Sequence, residues 1–279
     1  MYVLALLRIG INMKKMIINT IKIIAILYLA VCVLLYFFQE KLIFFPEKLQ
    51  QGFKLTFNLP FEELHFTCSD SVVLHGILFK AATPKGLIFY LHSNAGSVSS
   101  WGALAQSYTS LDYDVCMVDY RGFGKSQGCI NSQQQLFADL QLVYEGMKKK
   151  YDESKIIVLG YSLGSGFATK IASENKPKLL ILQAPYFSMT DMMRHNYPVI
   201  PTFILKYTIP TNKYIKNCAM PVIIFHGDKD EVIYYQSSAK LKKLFKNSDT
   251  LITLHGQGHN GITDNVDYKA SIKEILSGN

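Results

Sequence analysis

The sequence predicts an α/β fold with a mostly parallel, eight-stranded sheet and helices on both of its faces. Its strand-like runs are short, nearly all apolar and rich in Ile, Val and Leu, as strands buried on both faces are. Longer segments with helical periodicity separate these runs, and such alternation is typical of a parallel sheet. With 279 residues, 49% of them hydrophobic, the chain can form one sizeable domain and an accessory segment.

Strands are predicted at residues 63–67, 72–79, 87–91, 115–119, 156–159, 179–183, 222–225 and 250–254. The first two flank a turn-forming Ser-Asp-Ser segment at 69–71, so we expect them to pair antiparallel. Helices are predicted at 99–110, 132–150, 163–175, 234–246 and 264–276. Residues 187–220 interrupt the alternation with three prolines, and we expect a small cap there, over the sheet edge where such folds collect their chemistry.

The N-terminal part of the chain predicts a transmembrane helix. Residues 23–38 are continuously apolar, and residues 16–21 extend the run to spanning length if Lys22 snorkels. We therefore divide the chain into a basic segment 1–22, a transmembrane anchor 23–40, a linker 41–62 and an α/β domain 63–279 that contains the cap. Two alternatives stay open: a helix buried in the core, and a cleaved signal peptide, although no AxA-like site follows Phe38.

The net charge of +8 is spread along the chain without arginine-aromatic interleaving, so we expect no nucleic-acid partner. We interpret the basic residues as solvent-exposed side chains whose net positive charge favours contact with anionic membranes. Arg8, Lys14, Lys15 and Lys22 precede the predicted span, which favours an N-terminus on the inside. The α/β domain is then expected to be extracytoplasmic.

Five cysteines are present without a CxxC pair and without the Cys/His spacing of a zinc site. We predict neither a structural metal nor a cofactor. Cys116 lies in an apolar strand and is expected to be an inert, buried thiol.

Ser162 is the candidate nucleophile. It is the centre of a GYSLG sequence at 160–164, which matches the GxSxG pattern, between a predicted strand and a predicted helix. A sharp turn from strand to helix holds this residue in strained backbone geometry, and the flanking glycines remove side chains that would clash. The hydroxyl then projects from the sheet edge at a helix N-terminus, whose amides favour negative charge.

A serine hydroxyl needs a histidine to take its proton and a carboxylate to orient that histidine. After the strand at 222–225 comes HGDKDEV, which offers Asp228 and Asp230; after the strand at 250–254 comes GQGHNG, which offers His259. We favour Asp230, because it lies far enough beyond the strand for the loop to turn it toward His259. The order Ser, Asp, His is the one expected when GxSxG follows a strand.

An oxyanion hole requires two backbone donors. The amide of Leu163, directly after the nucleophile, is expected to be one donor, and the loop HSNAGS after the strand at 87–91 to supply the other. Within that loop Ser93 and Asn94 are the candidates, and we favour Asn94.

With these residues in place, the chain from residue 63 onward resembles the α/β-hydrolase superfamily. The motifs HSNAG, DYRGFGKSQG, GYSLG, HGDKDEV and GHN are similar to those of its membrane-anchored ABHD depalmitoylase and lysophospholipase-like branch. Members of that branch usually have glycine where Ser93 stands. The resemblance implies a structural role for the RGFG turn, with Arg121 as an ion-pair or carbonyl-binding anchor.

The sequence therefore predicts a serine hydrolase that cleaves an ester or thioester through an acyl-Ser162 intermediate. The anchor and the cap aromatics Tyr197, Phe203 and Tyr207 favour a lipid-like or acylated substrate. Two alternatives remain: a peptidase of the same fold, and a membrane-anchored binding protein without activity. The intact set of Ser162, Asp230 and His259 argues against the second alternative.

Overall fold

A computed structural model describes residues 2–278, with the side chains of the first helix described from Asn12 onward. The strands are β1 (Phe45–Pro46), β2 (Phe61–Thr67), β3 (Val73–Phe79), β4 (Gly86–Leu91), β5 (Ala95–Gly96), β6 (Tyr113–Val118), β7 (Ile156–Tyr161), β8 (Leu179–Gln183), β9 (Val222–Gly227) and β10 (Thr250–Leu254). Eight of them form one sheet in the order β10-β9-β8-β7-β4-β6-β3-β2. These are the eight predicted strands.

The sheet is parallel except around β3, which runs antiparallel to both β2 and β6. The predicted antiparallel pairing of the first two strands is therefore confirmed. Strands β4, β6, β7 and β8 are buried along their whole length, as their apolar sequences predict.

The helices are α1 (Tyr2–Phe37), α2 (Gln39–Ile43), α3 (Val98–Trp101), α4 (Gln106–Thr109), α5 (Gln133–Lys148), α6 (Leu163–Glu174), α7 (Met189–Asn196), α8 (Thr211–Tyr214), α9 (Gln236–Lys242) and α10 (Val266–Ser277). One apolar cluster packs α5 and α6 on one face of the sheet, and a second packs α4 and α10 on the other. The predicted arrangement, an α/β fold with helices on both faces, is confirmed.

The predicted helix 99–110 differs in detail, because a 3₁₀ segment at Gly102–Ala105 separates α3 from α4. The break falls at glycine, which has low helix propensity. Gly102 also lies so close to aromatic rings that a Cβ there would come within 2.4 Å of Phe57 and 2.8 Å of Phe79. The ring packing explains why a larger residue does not stand at this position.

Helix α1 is long and apolar enough to cross a membrane over Asn12–Phe37. From Asn12 to its end only Cys32 is buried, so this part of the helix is not a core helix. The apolar stretch lies closer to the N-terminus than the predicted anchor 23–40, since Gln39 and Glu40 belong to the separate helix α2. Arg8, which entered the prediction of orientation, lies outside the described side chains.

Residues 41–62, which we expected to be a linker, pack against the domain. Strand β1 pairs in parallel with β5, and the side chains of Phe44 and Leu55 are buried in the two apolar clusters. Burial of these apolar side chains explains why the segment does not extend freely into solvent.

The expected cap 187–220 has two parts with different neighbours. Helix α7 and the 3₁₀ segment Thr202–Ile204 contact each other, and the 3₁₀ segment also contacts α1. Helix α8 and the 3₁₀ segment Ile215–Asn217 pack instead on α6. The first part, at residues 189–204, thus lies next to the N-terminal helix, and the second lies against α6.

Arg121 forms two ion pairs beneath the RGFG turn. Its guanidinium binds Asp139 with bonds of 2.5 and 2.8 Å and Asp70 with bonds of 2.6 and 3.0 Å. Gly124 has φ of +48°, and a Cβ there would come within 1.9 Å of Asp119. The expected structural role of this motif, with Arg121 as its ion-pair anchor, is confirmed.

All five cysteines are free in the structure. Burial raises the pKa of the Cys116 thiol to about 12, so this side chain stays protonated and unreactive at neutral pH.

Candidate active site

Three predicted site residues meet at the carboxyl edge of the sheet. Ser162 follows β7, Asp230 follows β9 and His259 follows β10, and these strands lie on one side of the sheet with only β8 between them. Because parallel strands end at the same edge, loops that are far apart in sequence converge there.

The three side chains form a continuous line of hydrogen bonds. Nδ1 of His259 lies 2.7 Å from Oδ2 of Asp230, and Nε2 lies 3.0 Å from Oγ of Ser162. All three residues are buried. A nucleophile, a base and an orienting acid within hydrogen-bond reach can together transfer a proton from the serine hydroxyl.

The backbone at Ser162 is strained, with φ of +52° and ψ of −118°. Two glycines make this turn possible. A Cβ on Gly160 would come within 2.4 Å of the Gly164 carbonyl oxygen, and a Cβ on Gly164 within 2.1 Å of the Leu91 carbonyl oxygen. The turn therefore holds the hydroxyl out from the sheet, where α6 begins at the next residue.

The Asp230 carboxylate is held by its own loop. Oδ1 accepts hydrogen bonds from the amides of Val232 and Ile233, both at 2.8 Å, while Oδ2 faces His259 and lies 3.3 Å from Nε2 of His226. Burial favours the neutral acid, but the bonds from His226 and His259 and the Ile233 amide outweigh it and hold the pKa of Asp230 well below its usual range. Asp230 is thus a fixed negative charge at neutral pH.

Asp228, the alternative acid, is used elsewhere. Its carboxylate binds Nδ1 of His255 at 2.9 Å and the amide of Gly256 at 2.7 Å, near the surface. The structure therefore brings Asp230 to His259 and leaves Asp228 to fix the turn after β10.

Tyr161 supports His259 through a hydrogen bond and a ring contact. Its hydroxyl donates to the His259 carbonyl oxygen at 2.5 Å, and the two rings stack with centroids 5.5 Å apart. The imidazole is thus fixed both by its ring and by its backbone.

The two expected oxyanion donors lie at the same cavity as Ser162. Leu163 begins α6, and Asn94 lies in the loop after β4. The Asn94 side-chain amide donates to the Ile43 carbonyl oxygen at 2.9 Å, and the Asn94 carbonyl accepts from the amide of Phe45 at 2.8 Å. Ser93 is not among the residues with positive φ, so the backbone there does not require the glycine of similar proteins.

Ser162 and His259 open into an apolar cavity of about 740 Å³ between the sheet edge, α7 and the end of α1. Among the described residues, no Asp or Glu lines it. Of the three cap aromatics singled out by sequence, Tyr197 lines the cavity, Phe203 is exposed and Tyr207 is buried against Glu40. A second cavity of about 400 Å³, bordered by Trp101 and Tyr161, contains none of the three hydrogen-bonded groups.

Comparison with known proteins identifies the fold and the kind of protein that this chain resembles. A family model described as Hydrolase_4, serine aminopeptidase S33, matches residues 82–214. Protein bem46 of Schizosaccharomyces pombe is 27% identical over 244 residues, which are 80% of this chain and 81% of that protein. The esterase Pf2001 of Pyrococcus furiosus superposes with a TM-score of 0.67 at 17% identity, covering 85% of this chain and 97% of the esterase.

The chain has the α/β-hydrolase fold, and the proteins it resembles are hydrolases of that fold. Among its relatives, lysophosphatidylserine lipase ABHD12 of Danio rerio is 27% identical over 194 residues. The match covers 62% of this chain and 50% of ABHD12, so this hydrolase spans about half of that relative.

Sequence reasoning missed the residues that support the site of this α/β hydrolase. His226 lies behind Asp230, Tyr161 beside His259, and Gln39 between helix α1 and the cap. The sequence carries no signal for these roles, because each depends on the direction of a side chain toward a distant segment. Among the described residues, no group of three or more His, Cys, Asp or Glu could hold a metal ion.

Proposed function

We propose that this protein is a membrane-anchored serine hydrolase that cleaves carboxylic esters or thioesters of lipid-like or acylated substrates. The observation that carries the proposal is the line of hydrogen bonds from Asp230 through His259 to Ser162, which ends in an apolar cavity. The names of relatives agree with it, since ABHD12 is named a lipase and Pf2001 an esterase.

In the first half of the reaction, Oγ of Ser162 bonds to the substrate carbonyl carbon while its proton passes to Nε2 of His259. The backbone N–H groups of Leu163 and Asn94 stabilise the oxyanion that forms. When the tetrahedral intermediate collapses, the alcohol or thiol leaves with the proton from His259, and an acyl-Ser162 ester remains.

In the second half, His259 takes a proton from water, and the water oxygen bonds to the acyl carbon. Collapse of this intermediate returns the proton to Ser162 and releases the carboxylic acid. Asp230 stays ionised throughout and stabilises the imidazolium that forms in each half.

The test is hydrolysis of p-nitrophenyl esters, acyl-CoA thioesters and lysophospholipids by the full chain, together with labelling by a fluorophosphonate probe. Ser162→Ala should abolish labelling and lower kcat/KM by at least about 10⁴-fold. Ser165→Ala, one turn along the same helix, is the matched control and should keep both. Unchanged ester hydrolysis by Ser162→Ala would refute the mechanism.

A peptidase is the second candidate, favoured by the serine aminopeptidase description of the matching family model. An aminopeptidase site must bind the ammonium group at the N-terminus of a peptide, for which a carboxylate is the natural partner. Among the described residues the cavity has none. Release of p-nitroaniline from aminoacyl-p-nitroanilides at rates above those of esters would favour the peptidase.

The N-terminal helix is proposed to be a membrane anchor with the N-terminus inside and the catalytic domain 63–279 extracytoplasmic. Lys14, Lys15 and Lys22 precede most of the apolar stretch, which supports this orientation. Added protease should reach the C-terminal domain in cells whose outer barrier is opened while the cytoplasm stays sealed. Full protection of the domain under those conditions would reverse the orientation.

A further inference from the structure

We propose that the end of helix α1, together with α2, is a wall of the substrate site that receives a long acyl chain, and not only a tether. The site opens beside the membrane-spanning part of the helix. This inference rests on the proposed function, because it assigns the cavity at Ser162 to the acyl part of an ester or thioester.

The cavity wall opposite the sheet edge is built from the N-terminal segment. Leu35 of α1 and Gln39, Leu42 and Ile43 of α2 line it. Met192 of α7 and Ile204 of the cap line it from another side, and both are largely buried. A chain that began after Ile43 would lack this wall.

Polar contacts fix the wall to the cap. The Gln39 side chain donates to the Ile204 carbonyl oxygen at 2.7 Å and accepts from the Lys206 amide at 2.9 Å. Glu40 binds Nζ of Lys206 at 3.2 Å and the hydroxyl of Tyr207 at 3.0 Å. Gln39 is buried, and both the oxygen and the nitrogen of its side-chain amide are hydrogen-bonded to the cap backbone. Neither atom therefore needs a hydrogen-bond partner in the cavity.

The cap also contacts α1 further toward its N-terminus. The hydroxyl of Tyr28 donates to the Val199 carbonyl oxygen at 2.8 Å. Tyr28 lies within the apolar stretch Asn12–Phe37, about 13 Å along the helix from its end at 1.5 Å per residue. The cap segment around Val199 therefore runs alongside the membrane-spanning helix.

The side chains on this part of the cap are apolar and exposed. Tyr197 is 62% exposed, Val199 75% and Phe203 86%. Large exposed apolar side chains next to a membrane-spanning helix are typical of a surface that contacts lipid. An acyl chain can then pass from the bilayer into the cavity without crossing water.

The same segment supports the loop proposed to hold the oxyanion. Ile43 and Phe45 bond the side chain and the carbonyl of Asn94, and β1 pairs with β5 directly after it. The end of the anchor thus contacts both the cavity for the acyl chain and the loop at the reacting carbonyl.

The side chains that line the cavity indicate which part of a substrate it binds. Leu, Ile, Met and Val side chains make up half of the lining residues, and no Asp, Glu, Lys or Arg among the described residues offers a partner for a charged group. A volume of about 740 Å³ is within the range of sites that enclose most of a small-molecule ligand. A long, uncharged acyl chain fits this chemistry, whereas a charged headgroup does not.

The first experiment compares two adjacent leucines in the full chain in lipid nanodiscs. Leu35→Trp places a bulky ring in the wall, whereas Leu34→Trp, at an exposed position outside the cavity lining, is the matched control. The measured quantity is the ratio of kcat/KM for a dodecanoyl ester to that for a butanoyl ester. We expect Leu35→Trp to lower this ratio about tenfold or more and Leu34→Trp to leave it near the wild-type value.

Leu35→Ala tests the opposite direction, since it enlarges the cavity and should shift the preferred chain to greater length. Equal effects of Leu34→Trp and Leu35→Trp on the ratio, or a ratio that neither Leu35 variant changes, would overturn the proposal.

A binding measurement separates this inference from the proposed function. In the Ser162→Ala background, dodecanoic acid competes with a fluorescent long-chain fatty acid in the same nanodiscs. Leu35→Trp should weaken competition about tenfold relative to Leu34→Trp, whether or not the protein hydrolyses esters. If hydrolysis does not depend on Ser162 but this difference is present, the proposed mechanism fails and the acyl site stands. If the difference is absent, the acyl site fails.

Discussion

The floor of the cavity is fixed by backbone geometry, whereas its outer wall is fixed by side chains from distant segments. At the floor, Ser162, Asp230 and His259 each follow a strand of one sheet. At the wall, α2 is joined to the cap mainly by Gln39 and Glu40, across more than 160 residues of sequence.

This difference indicates different tolerances to substitution. The floor depends on a strained turn and on charge, so a single changed group removes the proposed chemistry. The wall depends on apolar packing and a few polar bonds, so single changes should alter the shape and mobility of the cavity while the reacting groups stay in place.

The largest expected effect tests the floor. Asp230→Asn removes the fixed charge beside His259 and allows the wrong imidazole tautomer, so kcat/KM for a short-chain ester should fall by roughly 10³–10⁴-fold. Asp228→Asn, whose partners are His255 and Gly256, is the control and should stay close to wild type. A larger loss of kcat/KM in Asp228→Asn than in Asp230→Asn would mean that Asp228, and not Asp230, orients His259.

The next effect tests the wall. Gln39→Ala leaves the Ile204 carbonyl and the Lys206 amide without their partner, at a cost of about 2–6 kcal/mol for the two groups. Proteolytic cleavage and hydrogen exchange in residues 197–206 should therefore accelerate at least about tenfold. Gln51→Ala, which removes a single bond at an exposed position, is the comparison. If cleavage of the cap is unchanged, Gln39 does not hold the wall.

The third prediction concerns acid stability at the floor. The folded pKa of Asp230 is depressed below the unfolded value of about 3.9, so its contribution to stability is present above that pH and is lost as pH falls through the folded pKa. Urea unfolding of wild type and Asp230→Asn should differ by on the order of 2 kcal/mol at pH 7, and the difference should shrink below about pH 4. A pH-independent difference would argue against an ionised Asp230.

The smallest expected effect tests how much Tyr161 contributes to fixing His259 in position. Tyr161→Phe removes the hydrogen bond to the His259 carbonyl but keeps the ring that stacks on the imidazole. A loss of about 1 kcal/mol is expected, seen as a several-fold lower kcat/KM with the ester preference retained. Unchanged kinetics would mean that Asp230 and the ring stacking are sufficient to fix His259.

The fold and the candidate residues could be predicted because both follow from local patterns. Apolar runs between helical segments indicate the strands, and GYSLG at a strand-helix junction indicates Ser162. The loops with Asp230 and His259 follow predicted strands, so their meeting at one sheet edge needed no long-range information.

Other features could not be predicted, because they depend on contacts between distant segments. From the sequence we predicted a linker at 41–62. The side chains of Phe44 and Leu55 are instead buried against the domain, and this burial depends on the surface that the folded domain presents to them. Likewise the break of the predicted helix at Gly102 reflects the rings of Phe57 and Phe79, which lie far away in sequence.

The sequence by itself determined the α/β fold, an apolar N-terminal helix and a short set of reactive residues, since composition, periodicity and strand ends are local properties. Only the tertiary structure decided that Asp230 rather than Asp228 meets His259, because both lie in one loop and the turn alone directs their side chains. It also decided that the end of the apolar helix lines the cavity at Ser162, since that contact exists only where chain segments far apart in sequence pack together.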